Sequence, residues 1–283
     1  MTKQINSKDK PNENALDRYK THECVSNEIK KVTKSNDVHF IRDGFADEDT
    51  YTKLKEPKVL FIGKEPHHFT ERQSPIICNE DDLKLENFKK WSKVTFYQNL
   101  MFYFYAIDSW YSTPQKYTFE LSDCNLKTDD DETVSKLIDL FKKIAFINIK
   151  KWDTKDSTSR EATIKQYAAE YKIPLREQIK AIDPDIIFLC GTDKAFRELF
   201  EKQEINLEKD DDQDFNNLSY LDDKYKWFYF VELNNKTRLV INYYHPSFTQ
   251  RPGWIDVLAV KNILRNAKTY MSKHNNVMNN LNL

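Results

Sequence analysis

The chain has 283 residues, with 44 basic and 45 acidic side chains for a net charge of −1, and 13% of it is aromatic. That aromatic content excludes wholesale disorder, and the balanced charge gives no global signature of a polyanion partner. No apolar run approaches the ~20 residues of a membrane helix, so no membrane partner is expected.

Only 4 glycines occur, at positions 44, 63, 191 and 253, where average usage of about 7% would give roughly 20. No two are close enough to form a GxGxxG dinucleotide loop or a Walker A loop. The four cysteines, at 24, 78, 124 and 190, form no CxxC pair. This spacing fits neither a zinc site nor an iron–sulfur cluster, and it predicts a reduced, cytoplasmic protein without a cofactor.

Residues 1–50 are polar and lysine-rich and read as an N-terminal extension without the apolar stretch of a signal peptide. Residues 51–275 read as one domain, and 276–283 as a flexible tail. Within the domain, four short apolar runs predict strands: Lys58–Ile62, Ile144–Ile149, Asp185–Leu189 and Leu239–Tyr243. They are continuous rather than alternating, the pattern of parallel strands covered on both faces.

Helical patterns separate the strands. Phe88–Tyr105 is aromatic-rich, and Glu132–Lys143 has apolar residues at 134, 137, 138 and 141. Glu161–Tyr171 is followed by Pro174, a first-turn residue for a helix over Leu175–Ile182. Thr192 is the expected N-cap of a helix to Gln203. Residues 204–224 read as an acidic surface insertion. Asn234-Asn235 predicts a hairpin turn between Tyr225–Leu233 and Arg238–Tyr243, and Ile255–Met271 predicts a closing helix. The expected fold is therefore α/β, a single domain with a central four-stranded, mostly parallel sheet flanked by helices.

In open α/β sheets ligands bind at the carboxyl ends of the strands. The first strand runs into Gly63-Lys64-Glu65-Pro66-His67-His68, and the second carries Asn148 followed by Lys150 and Lys151. The third ends in Cys190-Gly191-Thr192, and the fourth runs into Tyr244-His245-Pro246-Ser247-Phe248. A carboxylate, an amide and three of the six histidines thus fall at one rim.

In this order and spacing the chain resembles the uracil-DNA glycosylase superfamily over roughly residues 55 to 270. The Gly63–His68 stretch is similar to that family's first motif, which is Gly-Gln-Asp-Pro-Tyr-His in one branch and Gly-Met-Asn-Pro-Gly in another. Asn148 matches its strand asparagine, and His245-Pro246-Ser247 matches the start of its second motif. The segment Leu175–Ile179 leading to Asp183–Ile187 resembles its helix and third strand. Glu65 stands where the family has aspartate or asparagine, and His67 stands where one branch has a tyrosine that blocks thymine. Phe248-Thr249-Gln250-Arg251 lacks the family's leucine wedge.

The resemblance implies a metal-independent, monofunctional DNA glycosylase, a monomer with DNA as partner, acting on uracil or a modified pyrimidine in repair or in defence against modified phage DNA. Glu65 would hold the water and stabilise an oxocarbenium-like sugar. His245 would stabilise the departing base by hydrogen bonding, and Asn148 would read its Watson–Crick edge. Gly63, Pro66 and His67 would line the base pocket. Phe69 and Trp91 are the stacking candidates. Ser247, Lys150 and Lys151 would grip phosphates, with Phe248 and Arg251 filling the wedge position.

Each residue also has a plainer reading. A glutamate before proline can cap a turn, Asn148 can satisfy a buried backbone group, and Trp91, Phe96, Tyr97, Phe102 and Tyr105 read as a helix packing face. Two other functions stay open. One is a non-catalytic nucleic-acid or nucleotide-binding module on the same fold. The other is a metal-dependent hydrolase using Glu65, His67 or His68, and His245.

Overall fold

The computed structural model describes residues 43–55, 57–65, 83–91, 95–111, 130–151, 160–200, 205–206, 227–247 and 253–273. Its strands are β1 (Gly44–Phe45), β2 (Val59–Gly63), β3 (Ile144–Asn148), β4 (Ile186–Cys190), β5 (Ile205–Asn206), β6 (Phe228–Leu233) and β7 (Lys236–Tyr243). The helices are α1 (Glu48–Thr52), α2 (Leu85–Trp91), α3 (Thr95–Tyr111), α4 (Asp131–Phe141), α5 (Glu161–Glu170), α6 (Lys172–Ile182), α7 (Asp193–Arg197) and α8 (Gly253–Lys273). None of these helices is long and apolar enough to cross a membrane.

Among the described residues the strands form one sheet in the order β1-β3-β2-β4-β7-β6-β5. The four strands expected from the apolar runs are its parallel centre, β3-β2-β4-β7. The sheet is wider than four strands, because β1 is added antiparallel to β3, and β6 and β5 extend the other edge antiparallel. Two expected boundaries shift accordingly. Gly44–Phe45 belongs to the sheet rather than to the extension, and Ile205–Asn206 within the acidic segment is an edge strand.

Burial on both faces explains the continuous apolar runs. Val59, Phe61, Phe146, Phe188, Ile241 and Tyr243 enter one core, together with α3, α4 and α8. Their neighbours Leu60, Ile62, Ile147, Leu189 and Val240 enter a second core, with α5, α6 and α7. Successive residues alternate between the two cores, as the two-residue period of a strand requires.

Local signals act mostly as expected. Asn234 and Asn235 have φ of 55° and 57°, the left-handed pair of a two-residue type I′ hairpin, with Leu233 opposite Lys236. Thr192 precedes α7, but its side chain does not cap that helix. Its hydroxyl instead donates to the Ile62 carbonyl across the sheet, at 3.0 Å. The helix expected to reach Gln203 runs only from Asp193 to Arg197.

At the amino ends of the central strands, Arg238 is 1% exposed and pairs with Asp183 and with Asp185, the latter at 3.3 Å. A buried guanidinium that loses its counter-charges is costly. Asp183→Asn/Asp185→Asn is therefore expected to lower unfolding stability by about 3–5 kcal/mol in urea titration, and adding Arg238→Met should recover most of the loss.

Candidate functional site

The parallel centre runs second-first-third-fourth in chain order, so its winding direction reverses between β2 and β4. The crevice at such a switch point, beyond the carboxyl ends of the strands, is where open α/β folds bind ligands. Here it is bordered by Gly63-Lys64-Glu65, Asn148 to Lys151, Gly191-Thr192 and Tyr244 to Ser247. The β2–β3 pairing continues past both strands: Ile149 N–H donates to the Gly63 carbonyl and Lys150 N–H to that of Lys64, each at 3.0 Å. The segment carrying Glu65 therefore leaves the sheet in a fixed register with β3.

Asn148 is the Cα partner of Gly63. A β-carbon built on Gly63 would lie 2.6 Å from Asn148 Oδ1 and 2.7 Å from Phe146 Cζ. The missing side chain of Gly63 is thus the space that the asparagine amide occupies. Phe96, from the first turn of α3, stands 5.8 Å from the Phe146 ring and 5.7 Å from the His245 ring, centroid to centroid. It is half-buried, as is His245.

His245 is fixed from three sides. Gly191, at φ +67°, brings its backbone against residue 245, where an added β-carbon would lie 3.4 Å from the His245 nitrogen. Asn99 on α3 donates to the Pro246 carbonyl at 2.6 Å. The Ser247 N–H donates to His245 Nδ1 at 3.2 Å. An accepting Nδ1 leaves the proton of a neutral imidazole on Nε2.

Glu65 and Lys150 form an ion pair at 2.9 Å, with side chains 0% and 3% exposed. The Lys150 ammonium also lies 5.6 Å from the centre of the Tyr167 ring. Lys151 Nζ sits 2.7 Å and 3.0 Å from the two carboxylate oxygens of Asp43 and donates to Gln178 Oε1 at 3.0 Å. Asp43 also accepts the backbone N–H of Asn148. Two carboxylates and two ammonium groups are therefore buried within a few residues of one strand end, balanced in charge. This corrects the expectation that Lys150 and Lys151 grip phosphates: ammonium groups buried against carboxylates are not presented to a backbone outside.

Of the expected site residues, Gly63, Glu65, Asn148, His245 and Ser247 come together at this rim. Pro66, His67, Phe69, Phe248 and Arg251 lie outside the described residues, as does His68. Trp91 lies at the end of α2. Cys190 also ends at the rim, but it is fully buried and burial pushes its thiol far up, so it is no thiolate nucleophile. Among the described residues no group of three or more His, Cys, Asp or Glu gathers as a metal cage.

Asp43, Gln178 and Phe96 escaped the sequence reading as site residues. Gln178 carries a signal: it interrupts the apolar stripe Leu175, Ile179 and Ile182 on the buried face of α6. No family model matches this chain, nor does any curated protein or solved structure.

Two outcomes follow from this geometry. Gly63→Ala puts a methyl group where Asn148 Oδ1 and Phe146 now sit, so a loss of about 1–3 kcal/mol is expected in chemical denaturation. Lys150→Met, which takes the ammonium group away from the buried Glu65 carboxylate, is expected to lose about 3–5 kcal/mol. Lys150→Met/Glu65→Leu should be more stable than Lys150→Met alone, and a double-mutant cycle measures that coupling.

Proposed function

We propose that the chain is a DNA glycosylase that hydrolyses the N-glycosidic bond of a uracil or modified pyrimidine flipped out of DNA. The observation that carries this reading is the convergence of Glu65, Asn148 and His245 on the switch-point rim, with the Phe96 ring beside His245. Loss of the base creates positive charge on the sugar and negative charge on the departing ring, so catalysis needs fixed charges and dipoles of both kinds in one dry site.

Glu65 supplies the negative end of the buried Glu65–Lys150 pair, whose dipole, fixed out of water, acts on an oxocarbenium-like sugar at the rim. His245 turns the Nε2–H left by its Nδ1 contact toward the base oxygen that gains charge. Asn148 presents a donor and an acceptor to the pyrimidine edge, and Phe96 offers a ring face for stacking. The pairing of Lys150 and Lys151 with carboxylates supports a monofunctional enzyme, because a Schiff base requires a neutral amine at the sugar carbon.

The complete burial of the Glu65 side chain favours a second reading, a nucleic-acid or nucleotide-binding module in which the Glu65–Lys150 pair is structural. One experiment separates the two. Purified protein is incubated with uracil-containing and modified-pyrimidine duplexes, abasic sites are opened with hot alkali, and released bases are identified by mass spectrometry. A glycosylase releases a base, and Glu65→Gln and His245→Ala each reduce release by about a hundredfold or more. A binding module releases none and retains nucleic-acid affinity in both variants.

A further inference from the structure

We infer that Asp43 is a positioning residue for Asn148, and that the buried Asp43–Lys151–Gln178 cluster sets which base edge the site accepts. The selectivity part rests on the glycosylase reading. The positioning part stands on the geometry alone.

The ladder beside β3 explains why a side chain is needed. Strand β1 pairs antiparallel with β3 only through Gly44 opposite Phe146 and Phe45 opposite Ala145. Two residues further along β3 the N–H of Asn148 is met by a side chain. The Asp43 Oδ2 atom takes this bond. The carboxylate is then held by three further contacts: Lys151 Nζ at 2.7 Å and 3.0 Å, and Gln178 Nε2 at 3.1 Å to Oδ1. Gln178 Nε2 also reaches the Asp43 backbone carbonyl at 3.4 Å, and Lys151 donates to Gln178 Oε1.

Asp43, Lys151 and Gln178 are all buried, at 4%, 2% and 3% exposure. The cluster ties the end of β3 to the start of β1 and to the middle of α6. Buried polar groups are stable only when fully paired, so each member constrains the others and none turns freely. What the cluster constrains is the backbone of Asn148, whose side-chain oxygen occupies the space above Gly63. A rotation of that peptide would carry the whole side chain with it and swing the amide away from the rim and from a pyrimidine edge. An amide that reads a base must be fixed, because a misplacement of about 1 Å can cost a hundredfold in rate.

The test uses the full-length, 15N-labelled protein. The side-chain amide resonances of Asn148 are identified by their loss in Asn148→Asp, and base release from uracil and modified-pyrimidine DNA is measured in parallel. Asp43→Ala and Gln178→Leu are expected to move or broaden those resonances and to change the ratio of kcat/KM between the two bases by about tenfold or more. Asp43→Asn/Lys151→Met removes the ion pair but keeps an oxygen that accepts from Asn148 N–H, so its resonances and ratio should stay close to wild type. A merely structural cluster would lower the thermal midpoint of all three variants and leave both readouts unmoved.

Unmoved Asn148 resonances in folded Asp43→Ala or Gln178→Leu overturn the positioning role. If Asp43→Ala does not fold, Gln178→Leu decides it. Moved resonances with an unchanged base ratio overturn the selectivity role. If the wild type releases no base, the glycosylase reading and the selectivity role fail together, while the positioning role is judged by the resonances.

Discussion

The end of β3 is pinned from both sides by buried charge. In the sheet β3 lies between β1 and β2, and the two lysines that follow it each reach one neighbour. Lys150 pairs with Glu65, which follows β2, and Lys151 pairs with Asp43, which precedes β1. Neither ammonium group could be buried alone, since a lone desolvated charge is far too costly. The rim therefore assembles as a unit: three chain segments, distant in sequence, must arrive together before any of the four charges is tolerated inside. This explains how polar residues come to lie so densely beside two apolar cores.

The same constraint locates any chemistry. Helices cover both faces of the sheet, and among the described residues the buried ion pairs Glu65–Lys150 and Lys151–Asp43 gather at the carboxyl ends of its strands. The amino ends are closed by Arg238 and its aspartates. The carboxyl ends hold an amide, a histidine with one ring nitrogen already satisfied, and a half-buried aromatic ring. Two of the chain's rare glycines serve this end. Gly63 makes room for the Asn148 amide, and Gly191, in a left-handed conformation, lets β4 turn beneath His245.

What the sequence revealed follows from physics that acts locally. Continuous apolar runs located β2, β3, β4 and β7 to within a residue or three at each end, because burial on both faces leaves no polar alternation. Asn234-Asn235 announced its turn because few residues tolerate positive φ. The edge strands were not legible: β1 and β5 have two residues each, too short for any period to show. Asp43 was hidden for a related reason, as its partners are 105 and 108 residues away. The role of Lys150 and Lys151 was misread because a lysine pair looks the same in sequence whether it faces solvent or two buried carboxylates. Thr192 has the residue type of a helix cap, but a carbonyl on β2 takes its hydroxyl.

The two-asparagine hairpin tip has a reach well beyond its own hydrogen bonds. Strand β7 sends alternate residues into two different cores, so its register is a matter of parity, and the tip is where the parity is counted. One residue more or less between Leu233 and Lys236 would exchange the neighbours of Leu239, Val240 and Ile241 and turn the approach to His245 through half a revolution. Hairpin tips are ordinarily where chains gain and lose residues most freely. In this fold the tip, at the opposite end of β7 from the rim, can vary in composition but not in length.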